Sequence, residues 1–233
     1  ALDRWGRIDA LVHNAGNIRH RRLVDMTIDD FDAVLDVHLR GAFHVVQPAL
    51  GPMVDAGYGR IVLTSSIGGL YGNHGVANYA ASKAGIIGLN NVVALEGADH
   101  GITSNVIVPG ALTRIAAGAD TRGMPEPAGG SSGGARSGSG SAMTADNVAP
   151  MVAWLSHQEC SVSGEMFIAM AGRVARAFIG ETPGVYQAEW TIGDVAHRID
   201  EIRDLDSPWV FPVVPHGHAD HIRASLKLAD DSQ

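Results

Sequence analysis

Cysteine is almost missing: Cys160 stands alone among 233 residues, so no disulfide can form within the chain. A reducing compartment, the cytoplasm, is the expected setting. Aromatic residues make up only 6%, and 17 Lys and Arg face 25 Asp and Glu, for a formal net charge of −8. That balance argues against a nucleic-acid surface and against a polybasic membrane patch. No apolar run approaches the length of a membrane span, and neither a signal peptide nor a repeat of fixed period is visible. Also lacking is a glycine-rich turn between a strand and a helix, the usual seat of a dinucleotide diphosphate. The glycine-rich stretch from Gly129 to Gly140 follows no strand and opens no helix, so it does not supply one.

What is present reads as alternating strands and helices. With 45% hydrophobic residues the chain can bury a sizeable core and need not form more than one domain. Ala1 to Arg7 reads as the last turn of a helix. Ile8 to Val12 is an expected strand that delivers Asn14-Ala15-Gly16 to a turn. Thr27-Ile28-Asp29-Asp30 has the capping-box pattern, with Asp30 in place of Glu, and opens a helix to about Leu50. An apolar strand from Arg60 to Ser66 follows, then a glycine-rich loop from Ile67 to Asn78, a helix from Tyr79 to about Ala98, and a strand from Gly101 to Val108 closed by Pro109-Gly110. Thr144 to His157 reads as a helix and Glu165 to Met170 as the last parallel strand. Such alternation implies an α/β doubly wound parallel sheet with right-handed crossovers, whose function gathers at the carboxyl ends of the strands, where Asn14, Ser66 and Pro109 fall. Thr191 to Asp194 resembles another helix start. The expected division is one domain over 1–206, with a flexible insertion at about 125–142, and an extension over 207–233. His216, His218 and His221 have no cysteine or carboxylate at a fixed offset, and no metal is expected there.

The chemistry centres on Tyr79 and Lys83. Four residues apart on a helix, they share a face, so the ammonium can lie beside the phenol and favour its ionised form. Ser66, at the end of the preceding strand, can bring its hydroxyl to the same place. Together they describe proton transfer in alcohol and ketone redox chemistry.

Asn14-Ala15-Gly16, Thr64-Ser65-Ser66, Tyr79 to Lys83 and Pro109-Gly110 occur in the order seen in short-chain dehydrogenases/reductases, a superfamily that the chain resembles. The runs Val37-His38-Leu39-Arg40-Gly41, Gly59-Arg60-Ile61-Val62, Tyr71-Gly72-Asn73, Ala77-Asn78-Tyr79, Val148-Ala149-Pro150 and Trp154-Leu155 are similar to its (3R)-hydroxyacyl-CoA dehydrogenase branch. That branch is the domain found in peroxisomal multifunctional enzymes of type 2, also called 17-beta-hydroxysteroid dehydrogenase type 4, and in stand-alone bacterial relatives. The likeness extends to about Asp206.

The resemblance implies a Rossmann-like fold, NAD as cofactor and a 3-hydroxyacyl-CoA of beta-oxidation as substrate. A steroid-derived acyl-CoA or a 17-beta-hydroxysteroid is the alternative. Ser66, Tyr79 and Lys83 match the catalytic residues. His38 stands where many members carry an asparagine that relays protons, and the relay through its carbonyl or its imidazole stays open. Asn14, Ala15 and Gly16 would shape the wall around the cofactor riboses. Pro109 and Gly110 would pack on the nicotinamide, and Thr113 would meet its carboxamide. Residues 111–142 correspond to the loop that covers substrate. A homodimer or homotetramer is implied through the helices Thr27–Leu50 and Tyr79–Ala98, with Phe31, Val34, Leu35, Phe43 and Val46 as one possible face. Since the family carries its first strands and glycine loop upstream of Ala1, the chain is expected to be an N-terminally truncated piece. A non-catalytic scaffold is the competing reading.

Overall fold

The computed structural model describes residues 1–111 and 143–231. Thr113, most of the expected substrate loop and the insertion at 125–142 lie outside the described residues. The chain separates into two compact units, 1–177 and 178–233, so the boundary expected near residue 206 falls inside the second.

In the first unit, α1 (Leu2–Trp5) precedes β1 (Ala10–His13). Thr27 caps α2 (Ile28–Leu35) by accepting a hydrogen bond from the Asp30 amide at 3.1 Å. The helix continues through a π-turn at Asp36–Arg40 into α3 (Gly41–Ala56). It therefore outruns the expected end at Leu50, passing Pro48 and Pro52, and stops at Gly57 in the left-handed region. Pro48 is exposed, so water can reach the backbone carbonyl it leaves unbonded. β2 (Gly59–Thr64) follows, buried at every position. Ser66 then accepts from the Gly68 amide and starts α4 (Ile67–Tyr71) where a loop was expected. Next come α5 (Ala77–Gly97), β3 (Ile102–Gly110), α6 (Ala149–Leu155), β4 (Met166–Met170) and β5 (Arg173–Ala177).

Among the described residues the sheet has five strands in the order β1-β2-β3-β4-β5, the first four parallel and β5 antiparallel to β4. β5 was not expected. It arises because Ala171 (φ 51°) and Gly172 (φ 80°) both adopt positive φ, which is what a two-residue hairpin turn requires. Pro109 and Gly110 were expected to close β3, yet they lie within it, opposite Ala169 and Met170. The pairing with β2 ends at Ile107, so the N–H that Pro109 lacks has no partner to miss on that side.

Alternation along the strands sorts the core into two layers. Ile61 and Leu63 face Ala42, Val46 and Met53 of α3 and Ile86 and Val93 of α5, while Val62 and Ile107 face Val148 and Leu155 near α6 on the other side. Val34 and Val46, offered as a possible subunit face, are instead buried in the chain's own interior, whereas Phe43 is 52% exposed.

The second unit is held locally. Glu181 and Trp209 exchange backbone hydrogen bonds. A capping box between Thr191 and Asp194 starts α7 (Ile192–His197), which leads to α8 (Ile199–Ile202) and, further on, α9 (Gly217–Asp231). His221 on α9 pairs with Glu181 at 3.0 Å. Among the described residues no group of three or more His, Cys, Asp or Glu is arranged to hold a metal, and no helix is long and apolar enough to cross a membrane.

At the amino ends of the strands, the buried Arg60 guanidinium donates to the carbonyls of Gly59, Gly101, His157 and Gln158. Replacing it leaves those acceptors unpaired. Arg60→Met is therefore expected to lower stability by about 2–4 kcal/mol in a denaturant titration, and an unchanged midpoint would contradict this role.

Candidate active site

Because β1, β2 and β3 run parallel, their carboxyl ends meet along one edge and bring Asn14, Ser66 and Pro109 to the same side. Ser65 and Lys83 fasten α5 to that edge. The Lys83 ammonium donates to the Thr64 carbonyl at 2.7 Å, and the Ser65 hydroxyl donates to the Lys83 carbonyl at 2.7 Å. Lys83 is 3% exposed, and burial pushes its pKa down to about 8, so it keeps most of its charge at neutral pH.

Lys83 Nζ lies 5.6 Å from the centre of the Tyr79 ring. Ser66 lies near the same ring: a β-carbon placed on Gly68 would sit 3.6 Å from Ser66 Oγ and 3.7 Å from two Tyr79 ring carbons. The half-buried Tyr79 thus has both Ser66 and Lys83 in its neighbourhood. Close packing of α4 on α5 makes this possible, and it depends on Gly69. A β-carbon there would fall 2.7 Å from Lys83 Cβ and 2.8 Å from its carbonyl carbon.

His38, on the π-turn, meets Tyr79 edge-on with ring centres 5.2 Å apart. π-turns inside helices recur at functional sites. His38 Nε2 lies 2.7 Å from the Asn17 carbonyl oxygen and 3.2 Å from the Asn17 amide nitrogen. The shorter contact assigns the ring proton to Nε2, leaving Nδ1 a buried acceptor with no hydrogen-bond partner among the described residues. Burial and then the charge of Lys83 push the His38 pKa down to about 4, so the ring is neutral at physiological pH. Gly16 lies flat against it, since a β-carbon there would come within 2.5 Å of His38 Cε1.

Other residues to which the sequence gave no individual role also build the site. Asn78, fully buried, donates to the carbonyls of Arg19 and Asp30 at 3.1 and 2.9 Å and accepts from the Tyr79 amide at 2.8 Å, fixing where the helix begins. His13, buried at the end of β1, has its pKa lowered by burial and by Lys83. Neither has a spacing signal, because each acts through contacts distant in sequence. Thr64 donates to the Asn14 side chain at 3.2 Å.

These residues fit the nicotinamide half of a dinucleotide. Asn14 and Ala15 are exposed on the rim, and the Lys83 ammonium has donors beyond the one given to Thr64. No glycine-rich strand-to-helix turn for a diphosphate occurs among the described residues. A separate cavity of about 520 Å³, lined by Arg7, Asp9, Tyr58, Ser156, His157 and Gln158, opens near the amino ends of the strands and touches none of the groups above.

A family profile described as short chain dehydrogenase matches residues 1–122. Peroxisomal multifunctional enzyme type 2 of Mus musculus is 39% identical over 176 residues, covering 76% of this chain and 22% of the mouse protein. A short-chain type dehydrogenase/reductase of Mycobacterium tuberculosis is 36% identical over 206 residues, covering 88% of this chain and 67% of that protein. Among solved structures, full-length peroxisomal multifunctional enzyme type 2 of Drosophila melanogaster superposes with a TM-score of 0.78 at 31% identity, over 94% of this chain and 38% of the other. The chain therefore spans about a fifth of the mouse enzyme and about two thirds of the mycobacterial one.

The neutral His38 makes stability depend on pH. Its folded pKa of about 4 lies below the ordinary 6.5, so the unfolded chain takes up the proton first as pH falls through that window, and stability drops. The cost is roughly 3 kcal/mol by pH 4. His38→Gln is expected to flatten this part of the stability-against-pH curve between pH 6.5 and 4, measured by urea titration. Identical slopes for the two proteins would rule the effect out.

Proposed function

The chain belongs to the short-chain dehydrogenase family, a family of oxidoreductases that use nicotinamide cofactors, and on that premise we propose that it moves hydride between NAD and carbon 3 of a 3-hydroxyacyl-CoA. The observation that carries this reading is the meeting of Ser66, Tyr79 and Lys83 around one phenol ring. Oxidation of a secondary alcohol needs a base at its oxygen and a hydride acceptor at its carbon, and a bound nicotinamide supplies the acceptor. Tyr79, as phenolate, takes the hydroxyl proton. Ser66 donates a hydrogen bond to the substrate oxygen and keeps it in line. Lys83 places its positive charge near the ring and reaches a ribose hydroxyl with a remaining N–H. Placement of this kind contributes on the order of 3–4 kcal/mol to lowering the barrier.

His38 holds the Tyr79 ring from its edge. Neutral across the physiological range, it suits positioning better than carrying a proton. Asn14, Ala15, Gly16, Pro109 and Gly110 form the wall against which the nicotinamide and its ribose lie, and the family resemblance assigns Thr113 to the carboxamide. A 17-beta-hydroxysteroid is the alternative substrate in this reading. A non-catalytic scaffold is the second reading.

Exposed Phe43 and Val45 on α3 and Val92 and Leu95 on α5 support a homodimer or homotetramer through these helices. The cytoplasm is the proposed location, although the printed names of relatives include peroxisomal enzymes.

Tyr79→Phe is expected to lower turnover of a 3-hydroxyacyl-CoA by about a thousandfold or more while NAD affinity stays within roughly twofold. Retained turnover would remove Tyr79 from its role, and failure of the parent protein to bind NAD would favour the scaffold. Phe43→Glu is expected to shift sedimentation toward the monomer, and an unchanged oligomer would exclude α3 from the interface.

A further inference from the structure

A 3-hydroxyacyl-CoA differs from a steroid alcohol in bringing phosphates to the protein. In a chain of net charge −8, the four consecutive residues Arg19-His20-Arg21-Arg22 stand out as basic. The fold sets them beside the reactive helix. Arg21 forms a parallel bridge with Val76, its amide donating to the Gly75 carbonyl at 2.9 Å, and the Arg19 carbonyl accepts from Asn78, the residue before Tyr79.

The backbone of this segment is pinned, while its guanidinium groups face water. The side chains of Arg19, Arg21 and Arg22 are 48%, 58% and 64% exposed. Nearby carboxylates orient them without saturating them. Asp30, only 18% exposed, lies 3.4 Å from Arg19 Nη1 and 3.6 Å from Arg21 Nε, so one carboxylate serves two cations. The Arg21 contact exceeds hydrogen-bond range, which leaves its donors available. Arg22 pairs with Asp25, its Nε and Nη2 each 2.7 Å from Oδ2, in an exposed pair that adds little stability and leaves Nη1 unengaged by that carboxylate. Leu23 and Val24 follow at once, 74% and 83% exposed, so the charged segment continues into apolar surface.

We propose that Arg21 and Arg22, with Arg19 behind them, bind the phosphate groups of a coenzyme A thioester at the mouth of the site. The proposal rests on the oxidoreductase reading for where the acyl end lies. A pantetheine arm separates the reacting carbon from the phosphates, so phosphate contacts belong on the rim rather than beside Tyr79. Arg21, opposite Val76 just before the reactive helix, occupies such a position. The guanidinium fork matches phosphate oxygens in geometry as well as charge. A steroid alcohol would leave these three cations without a ligand.

Calorimetry of the full chain with free coenzyme A, at about 50 mM and about 300 mM salt, tests the proposal without needing hydride transfer. The parent protein is expected to bind roughly fivefold more weakly at the higher salt, as screened ionic contacts do. The double variant Arg21→Gln, Arg22→Gln is expected to bind roughly 10- to 100-fold more weakly at low salt and to lose most of that salt dependence, which a purely structural defect would not remove. Both the backbone bridge of Arg21 and the pair between Arg19 and Asp30 survive in the variant. Equal affinity and equal salt dependence in the two proteins would overturn the proposal. So would no binding of coenzyme A by the parent, or binding of holo acyl carrier protein in its place. Coenzyme A binding without oxidation of a 3-hydroxyacyl thioester would leave the phosphate site standing and defeat the oxidoreductase reading instead.

Discussion

A buried ammonium held by a strand-end carbonyl is the contact on which the rest of this site depends. Lys83 brings a charge out of water with the Thr64 oxygen at 2.7 Å as its hydrogen-bond acceptor. Its lowered pKa records the cost of that burial. Ser65 returns a hydrogen bond from the same strand end to the Lys83 carbonyl, so β2 and α5 are clamped by both the side chain and the main chain of one residue. This clamp sets the rotation of α5, and with it where the Tyr79 ring stands. Packing of α4 against α5 at Gly69 then brings Ser66 near the same ring.

The clamp also governs the neighbouring imidazoles. His38 and His13 are buried near the Lys83 charge, and both are pushed toward their neutral forms. One cation is thereby kept and two are suppressed, which concentrates positive potential beside the phenol. The π-turn gives His38 its approach to Tyr79, and the absence of a side chain at Gly16 leaves room for it. Asn78 links this wall to the segment of Arg19 to Arg22, so the reactive helix, the π-turn and the basic rim share hydrogen-bonded supports.

Opposite ends of the sheet serve different purposes. At the amino ends, Arg60 satisfies four main-chain carbonyls and ties β2 to its neighbours. At the carboxyl ends, polar groups are left partly unsatisfied, including Nδ1 of His13 and His38. Unpaired buried polar atoms are costly, and those of His13 and His38 lie near Lys83, while Thr103 Oγ1 near the start of β3 and Asn90 Nδ2 on α5 are unpaired as well.

Much of the fold could be read from the chain. Apolar runs alternating with capped amphipathic stretches gave the parallel sheet, and Thr27 and Thr191 marked helix starts because a side-chain oxygen must satisfy the first free amides. The four-residue spacing of Tyr79 and Lys83 put them on one helix face, since helical periodicity is local. Reading failed where long-range contacts overrode local signals. The helix opened by Thr27 ran past its expected end near Leu50, Pro109-Gly110 continued a strand beyond the reach of its neighbour, and α4 formed from a glycine-rich stretch because Ser66 capped it. Sequence alone determined the alternation of elements and the chemical types of the reacting groups, because both depend on residues a few positions apart. Tertiary structure decided that His38 meets the Tyr79 ring and that Lys83 reaches the Thr64 carbonyl, because these contacts join segments far apart along the chain, which no local spacing encodes.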